Sequence, residues 1–213
     1  PTGLAANPNR PTNFITNPNI WNTGAIEKAT YRKVINDVAF FNDLLNQIQR
    51  DYNIDQHKVF VIGHSNGGGM AFRLAAELSN RITAIAPVET NNTVYNHNAS
   101  RFVPTLFMLG AEDPLVPLAG GSRDVVGLPW LSEDIPPAND SIQRWGKTIG
   151  CDRNIRNISS EANFTKYQYC HNQPFFRDRF LVYVVYNQGH EWPGASERLL
   201  PLQISGKLNK NFD

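Results

Sequence analysis

Short apolar runs, each too brief for a helix and each closed by a polar or glycine-rich loop, set the tightest limit on what this chain can fold into. Lys58-Val59-Phe60-Val61-Ile62 is the clearest, a continuous run of the kind that marks a strand buried on both faces of a sheet. Ile82 to Val88, Val103 to Leu109 and Phe180 to Tyr186 repeat it. Segments of helical period lie between. Tyr31, Val34, Ile35, Val38, Phe41, Leu45 and Ile48 recur at three- and four-residue steps and predict a helix from about Ile26 to Arg50. Met70, Leu74 and Leu78 predict a second over Met70 to Leu78, and Ala138 to Thr148 reads as a third. Apolar runs alternating with helices, without tight Asn-Gly hairpins, predict an α/β domain on a mostly parallel sheet flanked by helices. Ligands of such sheets sit beyond the carboxyl ends of the strands. The loops after Ile62, Val88, Leu109 and Tyr186 are therefore where chemistry is expected.

The rest of the chain narrows the choice. Its 213 residues suit a single domain over 1–213. Pro1 to Asn22, dense in Pro and Asn, favours loop. Twenty basic against 19 acidic residues leave a net charge of +1, which supplies no footprint for nucleic acid or an anionic membrane. No run approaches the ~20 apolar residues that span a bilayer, and Pro1-Thr2-Gly3 is no signal region, so the chain reads as soluble and already trimmed. Cys151 and Cys170 are too few for a cysteine zinc site or an iron–sulfur cluster, and on their own fit two buried thiols as well as a disulfide. Asn-x-Ser/Thr triplets at Asn91, Asn98, Asn139, Asn157 and Asn163 suit an exported protein. No His-x-x-x-His or Asp-rich spacing points to a metal, and Gly67-Gly68-Gly69 lacks dinucleotide spacing, so no cofactor is expected.

At the first strand end the chain reads Gly63-His64-Ser65-Asn66-Gly67, a Gly-x-Ser-x-Gly pattern between a strand and a helix. A nucleophile on such a strained turn wants Gly on both sides, because a Cβ there would clash where the backbones cross. A serine hydroxyl is weak until a base takes its proton and a third group orients that base. Asp113, after Leu109, and His190, after Tyr186, follow in the order acid then histidine. Glu112 is the alternative orienter. His64 is expected to pack beside the turn, because consecutive side chains diverge there. His57, His97 and His171 read as surface residues, and Asp124, Asp134 and Asp140 as solvated loop acids. The backbone N–H of Asn66 is a ready oxyanion donor at a helix N-terminus.

Val59 to Gly68, Asp113-Pro114 and Gly189-His190-Glu191-Trp192-Pro193-Gly194 together resemble the secreted poly(3-hydroxybutyrate) depolymerase and feruloyl or acetylxylan esterase family of α/β-hydrolases. Asn36 to Phe40 is similar to that family's helix before the elbow strand, and Trp145 with Gly150-Cys151 to its Trp and Asn-Gly-Cys segment. The resemblance implies the α/β-hydrolase fold, Ser65 as nucleophile, His190 as base, Asp113 as its orienter and a Cys151–Cys170 disulfide. It implies strands before Pro1 and a helix after Asp213 as well, and hence a partial chain. Its sheet should then end in an unpaired apolar edge at Lys58 to Ile62. Glu191 stands where the family commonly has Thr, and Ile149 where it has Asn.

The expectation is a secreted or periplasmic serine ester hydrolase acting on a polyester or a plant cell-wall ester. Trp192 and the excursion 119–137 would line its pocket. The alternatives are a serine peptidase of the same fold and a non-catalytic binding module.

Overall fold

The computed structural model describes residues 2–13, 16–24, 35–123, 133–151, 155–170 and 179–212. In chain order its elements are β1 (Leu4–Ala5), β2 (Asn19–Ile20), α1 (Asp37–Asp51), β3 (Phe60–His64), α2 (Asn66–Glu77), β4 (Ala84–Val88) and β5 (Thr105–Gly110). Then come β6 (Gly121–Arg123), β7 (Glu133–Ile135), α3 (Ala138–Thr148), β8 (Ile155–Ser160), β9 (Phe164–Tyr169), β10 (Phe180–Val185) and α4 (Leu202–Ser205). Six strands form the main sheet in the order β3-β4-β5-β10-β9-β8, parallel from β3 to β10 and antiparallel beyond. β1 pairs with β2, and β6 with β7, in two small antiparallel ribbons.

The register puts Val61 beside Ile85, Ile85 beside Thr105, and Thr105 beside Phe180. These residues share the face that packs against the helices. There Phe72 of α2 meets Phe107 of β5 edge-on at 5.1 Å and Trp145 of α3 at 5.0 Å. The Trp145 indole N–H donates to Thr105 Oγ1 at 2.8 Å, so the largest buried side chain leaves no polar atom unpaired. α1 lies against α2 through Val38 and Phe41 on Met70 and Leu74. The Arg81 guanidinium fastens it by donating to Asn42, Asn46 and Gln49. No described helix is long and apolar enough to cross a membrane.

α3 runs over the predicted residues. α1 begins at Asp37, capped by the Asn36 side chain on the Ala39 N–H at 3.0 Å, which is later than the expected Ile26. Residues 26–34 of that expectation lie outside the described ones. α2 begins four residues before Met70, because the glycine stretch is itself the first helical turn.

β3 corrects the expectation of a strand buried on both faces. It is the sheet's edge, and Phe60 and Ile62 are 61% and 64% exposed, while Val61 on the other face packs into the core. An apolar run records that both faces could be buried but cannot supply the layer that would bury them. Among the described residues no strand pairs with the outer side of β3, in line with the expected apolar edge. β8 and β9 were not foreseen. They form a hairpin with a bulge at Asn157/Ser159, and β9 alternates between intermediate and buried positions only in part.

Cys151, just past α3, and Cys170, just past β9, are joined in a disulfide with Cα atoms 5.3 Å apart. It ties the antiparallel extension to the helix layer. A loop of this length gives about 3 kcal/mol in the chain-entropy model. Cys151→Ala/Cys170→Ala is expected to unfold in urea with about 3 kcal/mol less stability than the oxidised wild type and with a larger m-value, because the unlinked unfolded chain expands and exposes more surface.

Candidate active site

Four parallel strands deliver four loops to one end of the sheet. The turn after β3 carries Ser65. Its φ of 54° and ψ of −123° are a strained conformation for a residue with a side chain. The strain follows from the crossing of strand and helix. A Cβ on Gly63 would lie 2.1 Å from the Gly67 carbonyl oxygen, and one on Gly68 would lie 2.7 Å from Thr90 Cγ2. Gly67 meets nothing outside its own helix, so the expected clash on both sides holds for Gly63 but passes from Gly67 to Gly68. Ser65 N–H donates to the Val88 carbonyl, which pins the turn to the end of β4.

Neighbouring strands are about 4.8 Å apart, so a residue after β10 starts three strand spacings, roughly 14 Å, from the Ser65 turn. The loop after β10 carries His190 back across that span. His190 Nε2 lies 2.8 Å from Ser65 Oγ, and Nδ1 lies 2.8 Å from Asp113 Oδ2. The loop is held from behind: the N–H groups of Gly189 and His190 donate to the Lys207 and Ser205 carbonyls. Gln188, fully buried, donates from Nε2 to the Glu191 carbonyl and accepts the Asn209 N–H at Oε1. Glu191 turns inward, accepting the Leu199 and Leu200 N–H groups and the Ser205 hydroxyl. Burial works against its charge, but these donors hold its carboxyl below the usual range. Sequence reasoning did not assign this clamp; polar Gln188 and Glu191 flanking a strand-end histidine were its only trace.

Asp113 Oδ1 accepts the N–H groups of Leu115 and Val116 at 2.7 and 2.9 Å. Burial alone would raise this acid, but the bond with His190 and the Val116 N–H outweigh it and keep the group ionised. Glu112, the alternative orienter, points outward to a surface pair with Lys207 Nζ at 2.9 Å. His57 is exposed, His97 reaches only toward Glu77, and His171 and Asp124 lie outside the described residues. Asp134 and Asp140 are exposed. Among the described residues no group of three or more His, Cys, Asp or Glu could hold a metal ion.

The Asn66 N–H belongs to the first turn of α2, where backbone donors have no carbonyl within the helix. Its side chain is engaged elsewhere, exchanging two hydrogen bonds with the Trp21 backbone at 2.6 and 3.1 Å. Trp192 is 40% exposed at the mouth, its ring 6.4 Å from that of His64. Of the excursion 119–137, residues 124–132 lie outside the described ones.

His64 packs beside the turn as expected, with its ring 4.9 Å from that of His190. Burial and the neighbouring His190 lower its pKa from 6.5 to about 4. The unfolded chain therefore takes up this proton near pH 6.5, whereas the folded chain refuses it until about pH 4. Stability is lost as pH falls through that window. His64→Gln is expected to reduce the stability lost between about pH 7 and 4.5 by about 2 kcal/mol, read from urea unfolding at both pH values.

A family model described as the alpha/beta hydrolase fold matches residues 18–103. Among curated proteins, one named as an esterase, NocK of Nocardia uniformis subsp. tsuyamanensis, is 26% identical over 171 residues, 75% of this chain and 49% of that protein. Feruloyl esterase C of Emericella nidulans is 31% identical over 85 residues, 40% of this chain and 32% of the relative. A bifunctional acetylxylan esterase/xylanase of Neocallimastix patriciarum is 29% identical over 80 residues, 38% of this chain and 12% of that protein. This chain thus spans about half the length of the first relative and less of the other two. The solved acetyl xylan esterase of Aspergillus awamori superposes with a TM-score of 0.51 at 11% identity, over 81% of this chain and 68% of that one.

Proposed function

Because the chain has the α/β-hydrolase fold, we propose that it is a serine carboxylic-ester hydrolase working through Ser65, His190 and Asp113. The observation that carries this reading is the unbroken hydrogen-bonded line from Ser65 Oγ through both ring nitrogens of His190 to Asp113 Oδ2, each link 2.8 Å long. Ser65 Oγ attacks the ester carbonyl carbon while His190 Nε2 takes the hydroxyl proton. Asp113, ionised, holds the Nδ1–H tautomer and stabilises the imidazolium that forms. Negative charge gathers on the former carbonyl oxygen, and the Asn66 N–H, backed by the dipole of α2, is placed to receive it. The tetrahedral adduct collapses as His190 returns the proton to the leaving alkoxide. Water, deprotonated by His190, then attacks the acyl-serine, releasing the acid and restoring the Ser65 hydroxyl.

The names of the relatives, feruloyl esterase and acetylxylan esterase, support a plant cell-wall ester as substrate, with a hydroxyalkanoate polyester as the other member of the class. Trp192 gives an aromatic wall beside the site. The disulfide supports an oxidising compartment, outside the cell or in a periplasm. The Asn-x-Ser/Thr triplets support the same, although Asn91 is buried with its Oδ1 bonded to Ser141.

A fluorophosphonate probe is expected to label the wild type and not Ser65→Ala; equal labelling removes Ser65 as the nucleophile. Ser65→Ala and His190→Ala should each lower kcat for p-nitrophenyl esters by about 10⁴-fold or more. Hydrolysis of peptide amides in preference to esters would move the assignment to a peptidase.

A further inference from the structure

The proposed chemistry uses the loops after β3, β5 and β10. The fourth parallel strand, β4, is followed directly by Glu89, which is fully buried. Its φ is 45°, a left-handed conformation that a non-glycine residue keeps only where its surroundings impose it. The Glu89 N–H donates to the Met108 carbonyl at 3.0 Å, and Glu89 Oε2 accepts the Gly110 N–H at 2.6 Å. Gly110 opens the turn that carries Asp113, so Glu89 is bonded to the base of that turn. Its carboxyl also lies in hydrogen-bonding contact with the Asp113 carboxyl. No donor reaches Glu89 Oε1 among the described residues, so that oxygen would be a stranded acceptor in an ionised group.

Two carboxyl groups this close and this deep cannot both hold a charge. The donors decide which one does. Asp113 accepts from Leu115, Val116 and His190, while Glu89 accepts from Gly110 alone. The proton therefore stays on Glu89, where burial and the Asp113 charge both favour it. The other titratable groups around the pair do not reverse this balance. His190 faces Asp113 from the loop after β10, His64 on β3 is neutral, and the charge of Glu191 is taken up by Ser205 and the Leu199 and Leu200 N–H groups.

We propose that Glu89 is a positioning residue for Asp113: a neutral carboxylic acid, anchored on the Gly110 N–H, that donates a hydrogen bond to the Asp113 carboxylate and so fixes the oxygen that faces His190. This rests on the reading of Asp113 as the orienter of His190. Asp113 keeps its full negative charge toward the imidazole, and its carboxylate is held in place by a proton that never leaves Glu89.

The test uses Glu89→Gln, whose amide can donate in place of the acid, and Glu89→Leu, which cannot. At pH 7 the infrared spectrum of the wild type should show the C=O stretch of a buried protonated carboxyl, shifted by D₂O and missing from Glu89→Gln. That readout does not depend on turnover. With p-nitrophenyl butyrate, Glu89→Gln should keep kcat/KM within about threefold and leave the acid limb of its pH profile in place. Glu89→Leu should lose about tenfold in kcat with KM little changed, as expected for a lost hydrogen bond to a charged group. The inference is overturned if the infrared band is missing from the wild type or survives in Glu89→Gln. It is also overturned if the acid limb of Glu89→Gln moves down by about half a unit or more, which would mean that a negative charge had been removed. A Glu89→Leu variant as active as wild type overturns it too. If Glu89→Leu does not fold, the infrared and pH arms of Glu89→Gln decide. Ser65→Ala measured alongside separates the two readings: full activity there ends the triad assignment, whereas an inactive Ser65→Ala beside an unimpaired Glu89→Leu ends only the role of Glu89.

Discussion

The backbone crossing at Gly63 is the constraint on which the site depends. Strand β3 and helix α2 approach so closely that a Cβ on Gly63 would sit 2.1 Å from the Gly67 carbonyl oxygen. Only with that approach can the chain turn sharply enough to hold Ser65 at φ 54° and start a helix at the next residue. The same turn sets the Ser65 hydroxyl toward the carboxyl end of the sheet and exposes the first N–H groups of α2 on the same side. In the proposed reaction, two requirements of acyl transfer, a presented nucleophile and a donor for developing negative charge, would thus follow from one tight contact.

Around the turn the structure manages an unusual density of buried acid. Asp113, Glu89 and Glu191 are all buried within the loops at one end of the sheet. Each is handled differently. Asp113 is charged because backbone N–H groups and His190 surround it, and Glu191 because Ser205 and two N–H groups do. Glu89 has one donor and is neutral in our reading. Donor count, more than depth, sorts the three, since burial alone would raise them all. The resulting arrangement holds the Asp113 charge on the side of His190 remote from Ser65, where in the proposed reaction it would favour the imidazolium without repelling an incoming carbonyl.

Much of the architecture could be read from residues alone. The glycine-serine turn lay between an apolar run and a helical segment, and Asp113 and His190 lay at the ends of later runs in chain order, so their convergence was foreseeable from the rule that parallel strands share a carboxyl end. Glu89 was within reach of the same rule, because it directly follows the run ending at Val88, yet an acid after a strand looks like any solvated loop acid until its burial is seen. The β8–β9 extension escaped because its polar, mixed residues carry no strong period. The burial of β3 was overestimated, since Phe60 and Ile62 are apolar in sequence whatever covers them.

The sequence by itself determined the four parallel strands and the helices between them, where the chain must turn without a side chain, and which residue types stand at those strand ends. These are local matters, written in periodicity and in the steric freedom of glycine. Tertiary structure decided the rest. That His190 reaches back across three strand spacings to meet Ser65, that Asp113 and not Glu112 faces it, and that Glu89 closes against Asp113 depend on which loops pack together and on how many donors each buried carboxyl finds. Those donors come from residues distant in the chain, so no local pattern could have counted them.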